Sequence, residues 1–221
     1  YQPDQTDGVP LGVSLVTADG QTEEAPSSEL WSFRWALLSM LPGTVNGYLA
    51  GYIPTITKYQ GVSLDEAALL VTIMGCVDMV SRIGFGFVAD AHILTPSKLL
   101  AIACIFLGVI CHLFGFATSF VTLVPVIVVI GLFIGARGPM GSLICIEVVG
   151  ARNMPAAFSI MSTLNTLVGP TANPIFGKLA EVTGSFVIVM HVIGAGYFTC
   201  AGCLLLLPLF VRLDAKHGRQ K

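Results

Sequence analysis

The chain has 221 residues, of which 54% are hydrophobic and only 11% are charged, and its formal net charge is −2. Soluble domains carry about 25% charged residues, so this chain has too little charge to cover a water-facing surface. The composition excludes a soluble enzyme and a disordered scaffold, and the net charge excludes a nucleic-acid-binding protein, which needs a basic face. The sequence therefore predicts a membrane protein.

The first 29 residues form an acidic segment without Lys or Arg, in which Gly, Pro, Ser and Thr are scattered. The segment lacks the basic, apolar and small-residue regions of a signal peptide. It also has too few apolar residues to bury a face, so we expect residues 1–29 to be a disordered linker. Because this linker precedes the apolar part and the chain begins with Tyr1, we expect the sequence to be the back half of a longer protein.

Long apolar stretches follow the linker. A helix that crosses the bilayer core of about 30 Å needs about 20 mostly apolar residues. Six stretches meet this length: Trp31–Ile56, Ala67–Val88, Ser97–Phe116, Phe120–Val148, Ala156–Ala180 and Phe186–Val211. The polar links between them are short, and short links join antiparallel neighbours. We therefore predict an all-α membrane protein with six transmembrane helices in residues 30–211 and a basic tail at 212–221.

The Lys and Arg residues predict the orientation, because cytoplasmic loops are enriched in both. With six spans, the two ends of the chain lie on the same side of the membrane. That side receives seven of the 11 basic residues, against two on the other side and two inside spans. The linker and the tail are therefore both predicted to be cytoplasmic.

The second and fifth spans end on a related motif. Phe85–Asp90 and Phe176–Glu181 both have the pattern F-G-x-x-A-acid. Each motif closes the second helix of a set of three, which predicts an inverted 3+3 repeat of the kind that transporters use. The alternative is a chance match between Gly- and Ala-rich helices. The residues assigned to gating or structure on this basis are Gly86, Asp90, Gly177 and Glu181.

Asp78 and Arg82 are charged residues in the middle of the second span. Four residues apart, they share one helix face, with Cβ atoms about 5–6 Å apart. A charge at the bilayer centre costs at least about 2.5 kcal/mol, and pairing lowers that cost. In one interpretation the pair only fixes helix packing. In the other, Arg82 binds an anionic group of a substrate and Asp78 carries a proton.

Arg137 lies in the segment Gly135–Gly141, which contains three glycines and one proline. Such a segment predicts a broken helix, which is tolerated at membrane depth where it lines a cavity or is packed in protein. Arg137 therefore either helps to bind an anion or donates to freed carbonyl groups. Glu147, near the cytoplasmic end of the same span, is predicted to act as a gate or to lie at the surface.

Other polar residues and the cysteines of the spans have the following expected roles. Asn46 and Tyr48 are candidates for hydrogen bonds to a substrate, with helix packing as the alternative. The histidines His112 and His191 are each expected to be interior residues with satisfied hydrogen bonds. All six cysteines lie in apolar spans, where they are expected to act as small buried side chains. We expect neither a metal site nor a cofactor.

Several segments resemble the monocarboxylate transporters, which belong to the major facilitator superfamily. The segments Gly47–Pro54, Gly61–Ser63 and Cys76–Arg82 are similar to spans seven and eight of that family. The segments Glu147–Gly150, Gly169–Pro170, Gly177–Glu181 and Thr183–Phe186 are similar to its spans ten to twelve. The resemblance covers essentially residues 30–221, and the Asp78–Arg82 pair is its most specific part.

The resemblance implies that the chain is the C-terminal half of a twelve-span carrier in the plasma membrane. Members of the family move lactate, pyruvate or similar carboxylates together with a proton. In them, the residues that match Asp78 and Arg82 serve proton coupling and carboxylate binding. The implied partners are a small carboxylate and a proton, the lipid bilayer, the N-terminal six-helix half and a single-span immunoglobulin-type ancillary protein.

One departure from the family pattern leaves the substrate open. Arg137 to Pro139 stand where characterised members are more apolar and aromatic. The chain is therefore alternatively part of a facilitative carrier of another organic anion, aromatic amino acid or hormone. A separate alternative is a non-transporting half-carrier that acts by association, because six helices cannot by themselves enclose a site that is normally shared between two halves. A membrane-embedded serine protease is disfavoured, because Gly141–Leu143 is the nearest approach to its Gly-x-Ser-Gly motif.

Overall fold

The computed structural model describes residues 14–16, 22–24, 49–91, 94–117, 119–149 and 154–218. Two short antiparallel strands, β1 (Ser14–Val16) and β2 (Thr22–Glu24), lie inside the acidic segment. These six residues are the part of the acidic segment that the structure describes. The assignment of residues 1–29 to a linker stays a prediction.

The rest of the described chain is helical. Its α-helices are α1 (Leu49–Tyr59), α2 (Leu64–Asp90), α3 (Pro96–Leu113), α4 (Phe120–Ile134), α5 (Arg137–Val149), α6 (Met154–Thr183) and α7 (Phe186–Gly218). A 3-10 turn, Phe114–Phe116, continues α3. The membrane part is therefore all-α, as the composition predicts.

Four helical stretches of the described chain are long and apolar enough to cross a membrane: Leu64–Asp90, Pro96–Phe116, Phe120–Val148 and Phe186–Leu209. They coincide with the predicted second, third, fourth and sixth spans. The predicted first span is described only from Leu49 onward. The predicted fifth span coincides with α6, which is long enough at 30 residues but is not among the four.

Local sequence explains where α2 begins. Gly61, in the turn before α2, adopts φ 77°, a conformation that glycine tolerates because it has no Cβ. Ser63 and Glu66 then form a capping box: the Glu66 N–H donates to Ser63 Oγ at 3.3 Å, and the Ser63 N–H donates to Glu66 Oε2 at 3.0 Å. Two N–H groups that the first helical turn leaves unpaired are thereby satisfied.

Two helix pairs dominate the packing: α3 against α7, and α2 against α4. Side chains from α3 and α7 form much of the core, including Leu100, Leu107, Met190 and Leu204, which are all buried. On α2 the large apolar side chains of Met79, Val80, Ile83 and Phe87 are exposed. An apolar helix face of this kind is suited to lipid or to another apolar surface rather than to water.

Helix α6 carries exposed hydroxyl groups that are bonded within the helix itself. Ser159, Thr163 and Thr166 each donate to the carbonyl oxygen four residues earlier, at 2.8, 2.9 and 2.9 Å. Thr171 donates to Val168 O at 2.8 Å. These bonds satisfy the hydroxyl hydrogens without any partner outside α6.

Candidate functional site

The site is built around an interruption between α4 and α5. Helix α4 ends at Ile134, α5 begins at Arg137, and Gly135 and Ala136 form a turn between them. The predicted break in this span is therefore confirmed. The two helices still form a single apolar crossing of 29 residues. The interruption thus lies inside the span, with Arg137 at its edge.

Glycines bring α2 into backbone contact with this interruption. A Cβ at Gly135 would lie 2.7 Å from Asp78 O, and a Cβ at Gly131 would lie 2.9 Å from Met74 O. The two glycines are four residues apart and so share one face. Ser81 Oγ also donates a hydrogen bond to Leu132 O. Small residues permit such close helix approach in membranes, and here they hold Asp78 beside the interruption.

Asp78 and Arg82 form the ion pair that their spacing predicts. Arg82 donates from Nε and Nη2 to Asp78 Oδ2, at 3.1 and 2.9 Å. The other carboxylate oxygen, Asp78 Oδ1, is buried and has no hydrogen-bond partner among the described residues. The third guanidinium nitrogen, Nη1, lies 3.6 Å from the position of a Cβ on Gly138. Arg82 therefore extends from α2 to the first turn of α5.

Both intramembrane arginines line one cavity of about 380 Å³. Most of its wall is apolar and includes Leu100, Leu107, Phe133, Ile134, Phe158 and Met161. The polar part of the wall includes Ser162, Asn165 and Tyr197. Small-molecule sites typically have volumes of about 300–1,000 Å³, mostly apolar walls and a few convergent polar groups. The cavity thus fits an organic solute better than a bare ion.

Arg137 connects the interruption to α6. Its Nη2 donates to Asn165 Oδ1 at 3.4 Å. Because Arg137 also lines the cavity, a solute there can reach its guanidinium group. Asn165 is not among the residues predicted from the sequence, although an amide in the middle of an apolar helix is a signal that could have identified it.

The chemistry of this wall suits an organic anion. A guanidinium group binds a carboxylate with paired donors, and the apolar wall can pack against the hydrocarbon part of an organic anion. Within the described residues, there is no group of three or more His, Cys, Asp and Glu residues that could hold a metal ion. The two arginines are the cationic groups of this described wall, and an anion there would bind to them.

Two thiols also belong to the cavity wall. Cys104 on α3 and Cys200 on α7 are buried, and their sulfur atoms lie 3.7 Å apart. Their burial agrees with the prediction of small interior side chains. Cys76, by contrast, is exposed, which that prediction did not anticipate.

The other predicted site residues lie away from this cavity. An added Cβ at Gly86 or Gly177 would meet no atom within 4 Å, so neither glycine is required by a close contact. Asp90 is exposed at the end of α2. Glu181 is exposed near the end of α6 and accepts from Lys178 at 2.9 Å. Both repeat motifs therefore occupy last helical turns, and their proposed gating role stays a prediction.

The last three predicted residues belong to the first and fourth spans, and of these the structure describes only Glu147, which does not line the cavity. Glu147 is exposed near the end of α5. Asn46 and Tyr48 lie outside the described residues. Their roles in gating and in substrate hydrogen bonding stay predictions.

Comparison with known proteins places the chain in a family. The sequence profile of the Major Facilitator Superfamily matches residues 35–221. Monocarboxylate transporter 12 of Xenopus laevis is 32% identical over 164 residues, which cover 73% of this chain and 36% of that protein. Monocarboxylate transporter 13 of Rattus norvegicus is 28% identical over 166 residues, covering 74% and 39%. Monocarboxylate transporter 2 of Mus musculus is 28% identical over 198 residues, covering 83% and 40%.

The chain thus spans well under half the length of these curated relatives. The superfamily comprises multi-pass membrane transporters rather than enzymes, which agrees with the all-α fold and the apolar helices. The profile covers most of the chain, including every residue of the cavity wall. The chain belongs to the Major Facilitator Superfamily, and its similarity to the monocarboxylate transporters supports membership of that family within it.

Proposed function

We propose that the protein to which this chain belongs is a secondary active transporter that moves a small monocarboxylate, such as lactate or pyruvate, together with a proton. The observation that carries the proposal is the Asp78–Arg82 ion pair at the edge of a mostly apolar cavity. The monocarboxylate transporters among its relatives support the substrate class.

The coupling follows from the cost of charge inside a membrane. A guanidinium group at this depth needs an opposite charge nearby. Without substrate, the Asp78 carboxylate supplies that charge and occupies two donors of Arg82. When Asp78 takes up a proton, the substrate carboxylate replaces it as the acceptor. Proton and anion therefore bind together, and the net charge of the loaded site equals that of the empty one.

For the site to open alternately to the two sides of the membrane, this chain needs a second half of the carrier. The proposed complement is the N-terminal six-helix half of the same carrier, since transporters of this kind place substrate sites between their repeats. We further propose that the carrier lies in the plasma membrane with both ends of this chain in the cytoplasm. A single-span immunoglobulin-type ancillary protein is a proposed partner for reaching the surface.

Uptake of a labelled carboxylate into cells that produce the complete protein tests the proposal. Uptake is normalised to the amount of surface protein. On that basis Arg82→Ala is expected to abolish uptake, and Asp78→Asn is expected to remove the dependence of uptake on an inward proton gradient. Asp65→Asn is the matched control, because Asp65 is an exposed acidic residue in the first turn of the same helix. Uptake that stays proton-dependent in both Arg82→Ala and Asp78→Asn would refute the proposal.

A second candidate is a facilitative carrier of a larger organic anion, aromatic amino acid or hormone. The observation that favours it is the size of the cavity, about 380 Å³, together with the aromatic side chains of Phe133 and Phe158 in its wall. Competition distinguishes the two candidates. Short aliphatic carboxylates should compete best under the first, and carboxylates with an aromatic ring under the second. The non-transporting half-carrier predicts no uptake of either kind.

A further inference from the structure

Two histidines that are remote in sequence meet at the interface of α3 and α7. The ring centroids of His112 and His191 lie 5.0 Å apart, with an angle of 56° between the ring planes. His112 is half-buried and His191 is exposed. The expectation of two separate interior histidines is therefore wrong for His191, and the two imidazoles form a pair that the proposed transport mechanism does not use.

The interface is shaped to admit the His112 ring. A Cβ at Gly194 would lie 2.5 Å from His112 Cε1, so the absence of a side chain at Gly194 makes room for the imidazole. Gly108, one turn before His112, makes room in the same way for Phe198, whose Cε1 would lie 2.9 Å from an added Cβ. The Phe198 ring in turn lies 5.5 Å from that of His112. His112 is thus held in one place by α7.

A backbone hydrogen bond fixes which nitrogen of His112 is available. Nδ1 lies 2.8 Å from Gly108 O. A carbonyl oxygen only accepts, so Nδ1 carries the hydrogen and a neutral His112 has its lone pair on Nε2. Histidines that bind a metal ion characteristically donate their other ring N–H to a backbone carbonyl or a carboxylate in this way. His112 therefore has the arrangement of a metal ligand.

The distance between the rings also fits a shared ion. Zinc binds imidazole nitrogen at about 2.0–2.1 Å with tetrahedral angles, which places the centroids of two rings on one ion about 5 Å apart. The observed 5.0 Å agrees with that geometry. The described residues provide no third ligand of the usual types nearby. Two waters would complete the tetrahedron, one more than in catalytic zinc sites, which have three protein ligands and one water.

The pair lies near one end of the bundle. His112 is the penultimate residue of α3, and His191 is the sixth residue of α7. At 1.5 Å per residue, His191 is about 8 Å from the start of its helix. The exposed His191 ring thus gives an ion a short path from the end of the bundle.

We propose that His112 and His191 bind a divalent transition-metal ion of the zinc type, completed by water, and so cross-link α3 to α7. Imidazole suits zinc, copper and nickel, whereas calcium and magnesium prefer oxygen ligands. The selectivity expected of the site is therefore zinc over magnesium. This proposal is independent of the substrate and of proton coupling.

Zinc binding to the purified complete protein tests it, with calorimetry as the readout and magnesium as the negative probe. We expect the wild-type protein to bind zinc, and His112→Ala and His191→Ala each to weaken binding at least tenfold. The double variant should bind no more weakly than the weaker single variant, because either change already breaks the pair. His217→Ala, a histidine 26 residues further along α7, should leave the affinity unchanged.

His191→Ala keeps the test decisive if His112 variants fold poorly, because His191 is exposed and its removal leaves the core intact. Zinc affinity within twofold of wild type in His191→Ala would overturn the proposal. So would equal binding of magnesium and zinc by the wild-type protein.

Discussion

Gly135 and Ser81 are in direct contact across two helices: a Cβ at Gly135 would lie 2.5 Å from Ser81 Oγ. Ser81 in turn donates its hydroxyl hydrogen to Leu132 O on α4. The contact therefore joins the middle of α2 to the end of α4. Because Arg82 follows Ser81 directly, the same contact determines where the arginine enters the cavity.

Gly135→Leu is expected to separate α2 from α4, because the new side chain has no room against Ser81 and the Asp78 backbone. Overpacking of this kind typically costs about 1–3 kcal/mol. We expect a lower midpoint of thermal unfolding for the purified protein, and loss of anion uptake as Arg82 shifts. Unfolding followed by intrinsic fluorescence measures the first, and transport in vesicles the second.

The control for this change is Gly75→Leu on α2, where an added Cβ meets no atom within 4 Å. It should alter the unfolding midpoint much less than Gly135→Leu. Equal effects of the two substitutions would show that the contact at Gly135 does not determine the packing.

The ion pair makes a prediction about protein abundance that is separate from transport. Arg82→Gln leaves Asp78 without its ion-pair partner, and Asp78→Asn leaves Arg82 without its own, so each single variant should reach the membrane in smaller amounts. The double variant has no unpaired charge and should regain abundance while staying inactive. Quantitative surface labelling of the wild type, the two single variants and the double variant measures how far the effects of the two substitutions on abundance depart from additivity.

Additive losses of abundance in the double variant would contradict this prediction. They would show that the contact between the two side chains contributes nothing to folding in the membrane, despite the 2.9 Å separation of Nη2 and Oδ2.

Arg137 and Asn165 are expected to influence substrate affinity. Arg137→Gln removes a cation from the cavity wall, and we expect at least a tenfold increase in KM, since hydrogen bonds to charged groups contribute about 1.5–3 kcal/mol. Asn165→Ala removes the acceptor of the Arg137 hydrogen bond and should raise KM less. Concentration-dependent uptake by each variant, normalised to surface protein, measures both. An unchanged KM in Arg137→Gln would assign Arg137 a structural role only.

The capping box at the start of α2 predicts a modest effect on stability. Ser63→Ala removes the hydroxyl that accepts from the Glu66 N–H, and loss of such a cap typically costs about 1 kcal/mol. Thr72→Ala on the same helix is the control, since its exposed hydroxyl donates only to a carbonyl of its own helix. Thermal unfolding should be shifted in the first variant and nearly unchanged in the second. A larger shift in Thr72→Ala would contradict the assignment of the cap.

The features that the sequence predicts correctly are local ones. The contact between Asp78 and Arg82 follows from a spacing of four residues on one helix, and the break before Arg137 follows from the glycines and proline around it. Both depend on residues close together in the chain. The helical character of the membrane part follows equally from long apolar stretches.

The features that it misses join separate helices. Asn165 reaches Arg137 from α6, and Cys104 meets Cys200 between α3 and α7. A helix that is apolar on every side does not reveal which face meets a neighbour, so hydrophobic periodicity carries little information about such contacts. In these spans the glycines are better guides, because they mark where two backbones approach closely.

The hydroxyl groups of α6 have a consequence for motion. Ser159, Thr163 and Thr166 hold their hydrogens on carbonyl oxygens of the same helix. When the surface around them changes from water to lipid or protein, these bonds need not be broken or exchanged. In the proposed transport cycle, α6 can therefore exchange water for lipid or protein without breaking a hydrogen bond that these three hydroxyl groups donate. Under that proposal, these donated hydrogen bonds add nothing to the barrier between inward-facing and outward-facing states.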